Sequence, residues 1–221
     1  MIRNILTINL SPRKHGTSVV CLEKCTKYLK ERGHSVRHID LYSHLENFQL
    51  LFNSVNDADT LIFSGPCYVN TYPADTVKLL EEMAMHPEIL HEQNIYAIIQ
   101  GGMPYTHTHY SGLKMLEIFA SKMNVNYQGG FVIGLGAMLN GQPLSKLLNG
   151  KKVIRQMNIF CEHIHKGTKS PNSVYETAAL KAPCIITWML AKIMNREIDK
   201  TFAKRGMDAH SPSPYALDEQ K

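Results

Sequence analysis

The chain has 221 residues, which is enough for one α/β domain of ordinary size and some additional structure. Its formal net charge is +5, but no basic run is interleaved with aromatic residues and no DNA-binding motif is present, which excludes the common nucleic-acid-binding classes. No apolar stretch is long enough for a membrane span and no N-terminal apolar segment precedes a cleavage site, so we expect a cytoplasmic protein without an integral membrane segment.

Apolar runs alternate with amphipathic segments along the first three quarters of the chain. Strands are predicted at 3–9, 34–40, 59–64, 94–100 and 126–133. Helices are predicted at 18–32, 43–54, 74–84, 111–123 and 144–166. This alternation indicates a three-layer, doubly wound α/β fold with five parallel strands, because right-handed crossovers place helices on both faces of the sheet.

The first strand leads into a short loop rich in hydroxyl and basic side chains, from Ser11 to Ser18. The loop directly precedes a helix, whose free N–H groups and positive dipole end favour an anion. It matches neither the dinucleotide fingerprint nor the P-loop. We predict that it holds a phosphate, against the alternative of an ordinary turn with a Ser or Thr cap. The candidate phosphate ligands are Ser11, Arg13, Gly16, Thr17 and Ser18.

Two further loops follow the third and fourth strands. One combines aromatic, aliphatic and amide groups before a helix near Pro73, which suits a flat ring with one apolar and one polar edge. The other begins with Gly101 and Gly102, whose lack of a side chain lets the backbone approach a ligand closely. Parallel sheets bind ligands at the carboxyl ends of their strands, so these loops and the first one are expected to converge.

Over residues 1–165, the three loops resemble those of the flavodoxin-like NAD(P)H-dependent FMN reductases and quinone reductases. The Ser-Pro-Arg-x-x-Gly-Thr-Ser run is similar to the family's FMN-phosphate loop, and Pro66-Cys67-Tyr68 to its flavin wall. The resemblance implies strand order 2-1-3-4-5, bound FMN, NAD(P)H as co-substrate and a homodimer. The residues expected to frame the flavin ring are Pro66, Cys67, Tyr68, Val69, Asn70, Gly101, Gly102 and Tyr105.

The chain has five cysteines, an odd number without a dense cluster, which indicates reduced thiols. Iron-sulfur flavoproteins, which the chain otherwise resembles, carry a cysteine cluster between the second and third strands, whereas residues 41–58 contain no cysteine. We therefore predict no bound cluster. Cys67 stands where the family more often has an aliphatic residue, and we interpret it as a packing residue rather than a redox thiol. Cys21 and Cys25, one helical turn apart, are expected to be packing thiols.

Histidines occur in two groups that could suggest a metal. Cys161, His163 and His165 fall on a predicted helix, where the 3.6-residue period turns His163 away from the other two, so we predict no metal site there. His107 and His109 follow the glycine loop, which the resemblance places near the open face of the flavin. For this pair, a contact to substrate or nicotinamide and an exposed polar loop remain alternatives.

We predict a domain boundary between a flavin-binding domain at 1–167 and a helical C-terminal extension at 168–221. Ser173 and Glu176 are expected to form a capping box, Pro183 to stand in the first turn of a second helix, and Gly206 to close that helix. The tail from 208 to 221 is expected to be mobile. An apolar stripe could pack on the protein's own core, form a dimer contact or lie on a membrane surface; it comprises Ile186, Leu190, Ile193 and Phe202.

The combined prediction is an FMN-dependent oxidoreductase that takes a hydride from NAD(P)H and passes electrons to a small acceptor, such as a quinone or a flavin. The flavin would carry the chemistry, so no acid-base triad is expected. One alternative is an electron carrier or redox sensor that holds FMN without oxidising NAD(P)H. Another is an interaction module whose loops hold no flavin and which acts through its C-terminal helices.

Overall fold

The protein is described here by a computed structural model that covers residues 2–180 and 184–208. Its single sheet has five strands in the order β2-β1-β3-β4-β5, and all neighbouring strands are parallel. The flavodoxin-like order predicted from the sequence is confirmed. The strands are β1 (Asn4–Asn9), β2 (Ser35–Asp40), β3 (Thr60–Pro66), β4 (Asn94–Gln100) and β5 (Asn126–Ile133).

The helices that connect successive strands are α1 (Thr17–Lys30), α2 (Gln49–Asn56), α3 (Ala74–Met85) and α4 (Tyr110–Lys122). Those that follow β5 are α5 (Gly150–Lys166), α6 (Ser173–Ala178) and α7 (Cys184–Lys204). Two helices begin later than the sequence predicts. The start of α2 is preceded by a 3₁₀ turn at Leu41–Ser43, and that of α5 by a 3₁₀ turn at Leu144–Lys146 and an extended Leu147. The extended backbone of Leu147 separates the second of these turns from α5, so the helix does not begin at residue 144.

The core lies on both faces of the central strands. All seven residues of β3 are buried, as expected for a strand covered by helices on both sides. On one face, α1 packs against β3 and α5, and three buried cysteines lie in this layer: Cys21, Cys25 and Cys161. The Sγ atoms of Cys25 and Cys161 are 3.4 Å apart, and burial raises the pKa of the Cys21 thiol to about 12. These thiols are packing groups, as the sequence predicts for Cys21 and Cys25.

The first compact unit runs from Met1 to Leu180, so the predicted boundary after residue 167 falls inside it. The cause is α6, which packs on α5 and β5 and buries Val174 and Tyr175. The predicted capping box is wrong. Asn172 occupies the N-cap of α6 and makes no side-chain cap bond, and Ser173 is already within the helix.

The second unit spans Lys181–Lys221, and its described part is α7 and the residues up to 208. Gly206 has φ 69° and closes this helix, as predicted. Ile193 and Phe202 of the predicted stripe are 54% and 38% exposed. Pro183, the side chains of Ile186 and Leu190, and the tail from residue 209 lie outside the described residues. Among the helices that are described, none has the length and apolar character needed to cross a membrane.

Candidate functional site

The loops that follow β1 and β3 meet at the carboxyl edge of the sheet, where the chain leaves the central strands. Together with the last residue of β4, they border a cavity of about 110 Å³, which Gly101, Gly102 and Tyr105 do not line. Its lining residues are Ser11, Arg13, Gly16, Thr17, Pro66, Tyr68, Gln100, Ala137 and Asn140. The predicted convergence of the phosphate loop with the aromatic loop is therefore observed, and the strand order reverses at this place.

Side chains at the end of β1 fix the shape of the first loop. The Asn9 side chain accepts the N–H of Ser11 at 3.0 Å and donates to the Asp40 carboxylate at 2.8 Å. The Ser11 hydroxyl oxygen in turn accepts the N–H of Arg13 at 3.1 Å. Because the hydroxyl oxygen is the acceptor there, its proton is left to donate to a ligand.

The helix that follows this loop begins without a side-chain cap. Gly16 is the N-cap of α1, which is 14 residues long and has no acidic residue in its first turn. A Cβ at Gly16 would lie 3.3 Å from the Cβ of Arg13, so glycine keeps the loop close to the helix end. Uncapped N–H groups, the positive end of the helix dipole and the Arg13 guanidinium together favour a phosphate dianion.

The structure adds a loop that the sequence analysis missed, the segment 134–142 after β5. The Thr17 hydroxyl donates to the Gly136 carbonyl at 2.9 Å, and the Arg13 guanidinium donates to the Asn140 side chain at 3.2 Å. A Cβ at Gly141 would overlap the carbonyl oxygen of His15. This loop therefore lies directly against the phosphate loop and forms one wall of the cavity.

A signal for this loop was present in the sequence. Gly134, Gly136 and Gly141 follow the fifth strand, just as glycines follow the fourth. Each of them is packed so closely that a Cβ would collide with backbone or with the Gln100 side chain. Clustered glycines at a strand end indicate close backbone approach, although β5 is an edge strand that β3 and β4 separate from β1.

Gln100 is a second missed residue and is buried at the end of β4. Its side-chain oxygen has no hydrogen-bond partner, while its amide nitrogen lies 3.5 Å from the Ser18 hydroxyl. A buried acceptor without a donor is costly, and a ligand hydroxyl in the cavity would satisfy it. Ser18 itself is fully buried and does not line the cavity, unlike the other residues predicted for the phosphate loop.

The aromatic loop after β3 is a tight two-residue hairpin. The N–H of Tyr68 donates to the Thr71 carbonyl at 2.7 Å, and the N–H of Thr71 donates back at 3.2 Å. Val69 and Asn70 between them have φ of 49° and 69°. A left-handed backbone is strained for the β-branched Val69, which is also 97% exposed. Tyr68 is half exposed beside the cavity, so the loop presents an apolar surface at its mouth.

The two predicted substrate histidines are in different environments. His107 is exposed and stacks on the exposed Tyr105, with ring centroids 5.5 Å apart. His109 is buried and its Nδ1–H donates to the Tyr105 carbonyl at 3.0 Å. Burial lowers the pKa of His109, which keeps it neutral beneath Gly101. His107 thus lies at the surface of the loop, whereas His109 packs beneath the loop and supports it.

Cys67 lies between these loops and is partly buried. Burial raises the pKa of its thiol, and its Sγ lies 3.8 Å from the Thr108 carbonyl oxygen. A protonated thiol in contact with the core supports the interpretation of Cys67 as a packing residue. Among the residues that the structure describes, no group of three or more His, Cys, Asp or Glu could hold a metal ion.

Comparison with known proteins identifies the family. The family of NADPH-dependent FMN reductases matches residues 3–134, and the chain belongs to this family. Its general class is therefore that of the NAD(P)H-dependent flavin oxidoreductases. No curated protein matches the sequence.

Solved structures share the fold at low identity. An NAD(P)H:quinone oxidoreductase from Methanothermobacter marburgensis is 16% identical with a TM-score of 0.57, covering 74% of this chain and 96% of its own. An apo NADH:FMN oxidoreductase is 19% identical with a TM-score of 0.56, covering 78% and 94%. An FMN-dependent NADH-azoreductase from Bacillus anthracis in complex with FMN is 13% identical with a TM-score of 0.55, covering 74% and 98%.

Proposed function

We propose that the chain binds FMN at the carboxyl edge of its sheet, oxidises NAD(P)H and passes the electrons to a small acceptor. The observation that carries the proposal is the uncapped N-terminus of α1 beside Ser11 and Arg13, at a cavity that is also lined by Gln100, whose buried side-chain oxygen is unpaired. Phosphate on the helix end and a ribityl hydroxyl on Gln100 would satisfy both features. Membership of the FMN reductase family supports the choice of ligand.

The size of the cavity limits what it can enclose. About 110 Å³ is well below the roughly 300–1,000 Å³ of pockets that enclose a whole ligand. We therefore assign the cavity to the phosphate end of FMN and the ring to the surface between the hairpin at Tyr68 and the loop at Tyr105. Pro66, Cys67, Val69, Asn70, Gly101 and Gly102 belong to these two loops and would frame the ring.

Bound FMN would supply hydride acceptance and electron transfer, and the chain's residues would position it and limit access. The exposed side chains of Tyr68, Met103 and Tyr105 leave one side of the proposed ring site open to nicotinamide and acceptor in turn. His107, exposed beside Tyr105, is the proposed contact to substrate. The positive net charge of +5 favours encounter with the phosphates of NAD(P)H.

We further propose that the protein works as a cytoplasmic homodimer. A large apolar surface is exposed at the ring site, including Val69 at 97% and Met103 at 60%, and such surface is typical of a site completed by a partner. Light scattering on the protein with and without FMN tests this proposal. A monomer at micromolar concentration in both conditions would contradict it.

Substitution in the phosphate loop tests the FMN site. Arg13→Ala together with Ser11→Ala should weaken FMN binding, the charged contact alone accounting for about 1.5–3 kcal/mol. Fluorescence titration of FMN measures the change. Lys14→Ala is the matched control, because Lys14 is an exposed cation of the same loop that does not line the cavity. Equal affinity of the double variant and the control would contradict the assignment of the phosphate site.

A further inference from the structure

A second cavity lies beside the edge strand β5 and shares no lining residue with the candidate FMN cavity. Its volume is about 990 Å³, at the upper end of the roughly 300–1,000 Å³ typical of small-molecule sites. Its walls come from α4, the first half of β5 and the segment that leads into α6. None of the chemistry proposed for the FMN site uses it.

The walls of this cavity are largely apolar and aromatic. Leu113, Met115 and Ile118 come from α4, and Tyr127 and Tyr175 add two aromatic rings from β5 and α6. Pro171 closes one side. Flat apolar groups pack well against such surfaces, so the cavity favours a ligand with an aromatic ring system.

A buried hydroxyl group in the wall lacks a partner. Ser170 is 1% exposed, and its Oγ has no hydrogen bond. The Tyr175 hydroxyl interacts with that of the neighbouring Tyr110, which itself donates to Glu176 at 3.0 Å. Buried hydroxyl groups are nearly always paired, so the unpaired hydroxyl of Ser170 points to an acceptor supplied by a ligand.

The backbone holds Ser170 firmly in place. Its N–H donates to the Gln128 carbonyl at 2.7 Å, which extends the edge of β5. Gly129 has φ 104°, and a Cβ there would overlap the Ser170 carbonyl oxygen. Ser170 thus packs directly against the strand at Gly129, where a larger residue would not fit. This part of the cavity wall is fixed by backbone contacts.

The residues that line the cavity carry more positive than negative charge, and the Glu176 carboxylate lies beside the wall, where it accepts from Tyr110. Lys114 and Lys169 line the cavity together with one carboxylate, that of Glu117. Glu117 pairs with Lys114 at 2.8 Å, which leaves the charge of the exposed Lys169 uncompensated among the lining residues that the structure describes. An anionic group on the ligand would balance it.

We propose that this cavity binds a flat aromatic carboxylate. The ring lies against the aliphatic and tyrosine walls, and a carboxylate oxygen accepts a hydrogen bond from the Ser170 hydroxyl group near the Lys169 ammonium. The site is separate from the FMN cavity and is independent of the function proposed for that cavity.

Calorimetry with 2-naphthoate as the probe tests the site on the full-length protein. We expect one molecule bound per chain, with the same affinity in the presence of saturating FMN. The neutral isostere 2-naphthamide should bind about tenfold more weakly, because it lacks the charge that Lys169 attracts. No binding of naphthoate, equal binding of the amide, or displacement by FMN would each overturn the proposal.

Variants locate the bound probe. Lys169→Met should weaken naphthoate binding about fivefold to tenfold, and Ser111→Trp at the exposed rim should abolish it by filling the cavity. Lys122→Met and Ser121→Trp are matched controls, since both residues are exposed on α4 outside the cavity and should leave binding unchanged. Thermal unfolding of each variant checks that it is folded. Binding that survives Ser111→Trp unchanged would place the probe elsewhere and contradict the proposal.

Discussion

Adjacent glycines in the loop after β4 have opposite steric surroundings. A Cβ on Gly101 would lie 2.6 Å from the Nε2 of the buried His109 and 3.0 Å from the Cβ of Cys67, whereas a Cβ on Gly102 would meet nothing within 4 Å. Gly101 therefore lets the loop close over a fixed imidazole ring, and Gly102 has no such packing role. Two neighbouring positions of the same residue type thus make a matched pair for mutagenesis.

Gly101→Ala should destabilise the protein by about 1–3 kcal/mol, because His109 or the loop must move to admit the methyl group. Gly102→Ala should change the free energy of unfolding by less than about 0.5 kcal/mol, as exposed substitutions usually do. Urea denaturation of both variants measures the difference. Equal stability of the two would show that the loop is not packed on His109 as described.

Val69 is a residue whose backbone conformation does not suit its side chain. Its φ of 49° in a two-residue hairpin favours Asn or Gly, and its side chain is 97% exposed and packs on nothing that would compensate. Val69→Asn should therefore raise the free energy of unfolding of the FMN-free protein by about 1 kcal/mol. Thr71→Asn, at the position that closes the hairpin, is the control and should give no gain. A destabilised Val69→Asn variant would contradict the strain.

For individual residues, the sequence predicted contacts between positions that are close together along the chain. Ser11, Arg13, Gly16 and Thr17 lie within one strand-to-helix connection, so their convergence on one cavity follows from chain adjacency and helix-end physics. Gln100 and Asn140 reach the same cavity from distant segments. The glycines beside them indicate close backbone approach, but which segments meet depends on how far the loop after β5 extends across the sheet edge.

Among the elements, α5 depends on a contact from the opposite end of the sequence. The Arg3 guanidinium donates to the carbonyl oxygens of Ile164, His165 and Lys166 at 3.2, 2.7 and 3.0 Å. These carbonyls belong to the last turn of α5, where intrahelical donors are lacking and the dipole favours a cation. Arg3 therefore ties the start of β1 to the end of α5.

Arg3→Met should keep the aliphatic part of the side chain and lose these bonds. We expect the free energy of unfolding to fall by about 1.5–3 kcal/mol, the range for hydrogen bonds from charged groups. Arg155→Met is the control, an exposed arginine within α5 whose loss should have little effect. Denaturation midpoints of the two variants provide the test, and equal midpoints would contradict the capping role.

Element existence was predicted more reliably than element extent. The strands are short and, apart from β2, largely buried, and the sequence pattern located them within a residue or two. The helices α2 and α5 start later than predicted, because the first residues predicted for each of them form a 3₁₀ turn. The apolar spacing in these turns resembles that of an α-helix. The position of α6 in the first compact unit depends on the burial of Val174 and Tyr175. The polar segment before α6 indicates a linker, so the sequence did not predict this tertiary contact.

The whole molecule should lose stability in mild acid. His34 accepts the Arg3 N–H on Nδ1 at 3.1 Å, so its Nε2–H must donate to His165 Nδ1 at 2.8 Å. Burial, together with the nearby His165 and Arg3, lowers the pKa of His34, and burial lowers that of His109. Both side chains are therefore neutral in the folded protein at pH 7.

Proton linkage determines the direction in which stability changes with pH. Both histidines have a lower pKa in the folded protein than the ordinary value of 6.5, so the unfolded chain binds more protons than the folded protein as pH falls below 6.5. The free energy of unfolding is therefore highest above pH 6.5 and falls as pH decreases through the folded pKa values. Denaturation between pH 7.5 and about pH 5 should show this decline. His34→Gln should reduce the slope, while His107→Gln, at an exposed position, should retain it. A flat profile in the wild-type protein would contradict the neutral histidines.

We propose that this molecule reduces FMN bound at its sheet edge with a nicotinamide nucleotide. The most direct measurement is the absorbance spectrum of the protein after incubation with FMN and desalting, followed by anaerobic addition of NADPH and then NADH. We predict retained flavin that is bleached by one or both nucleotides. Flavin that is retained but stays oxidised, or flavin that is not retained at all, would contradict the account.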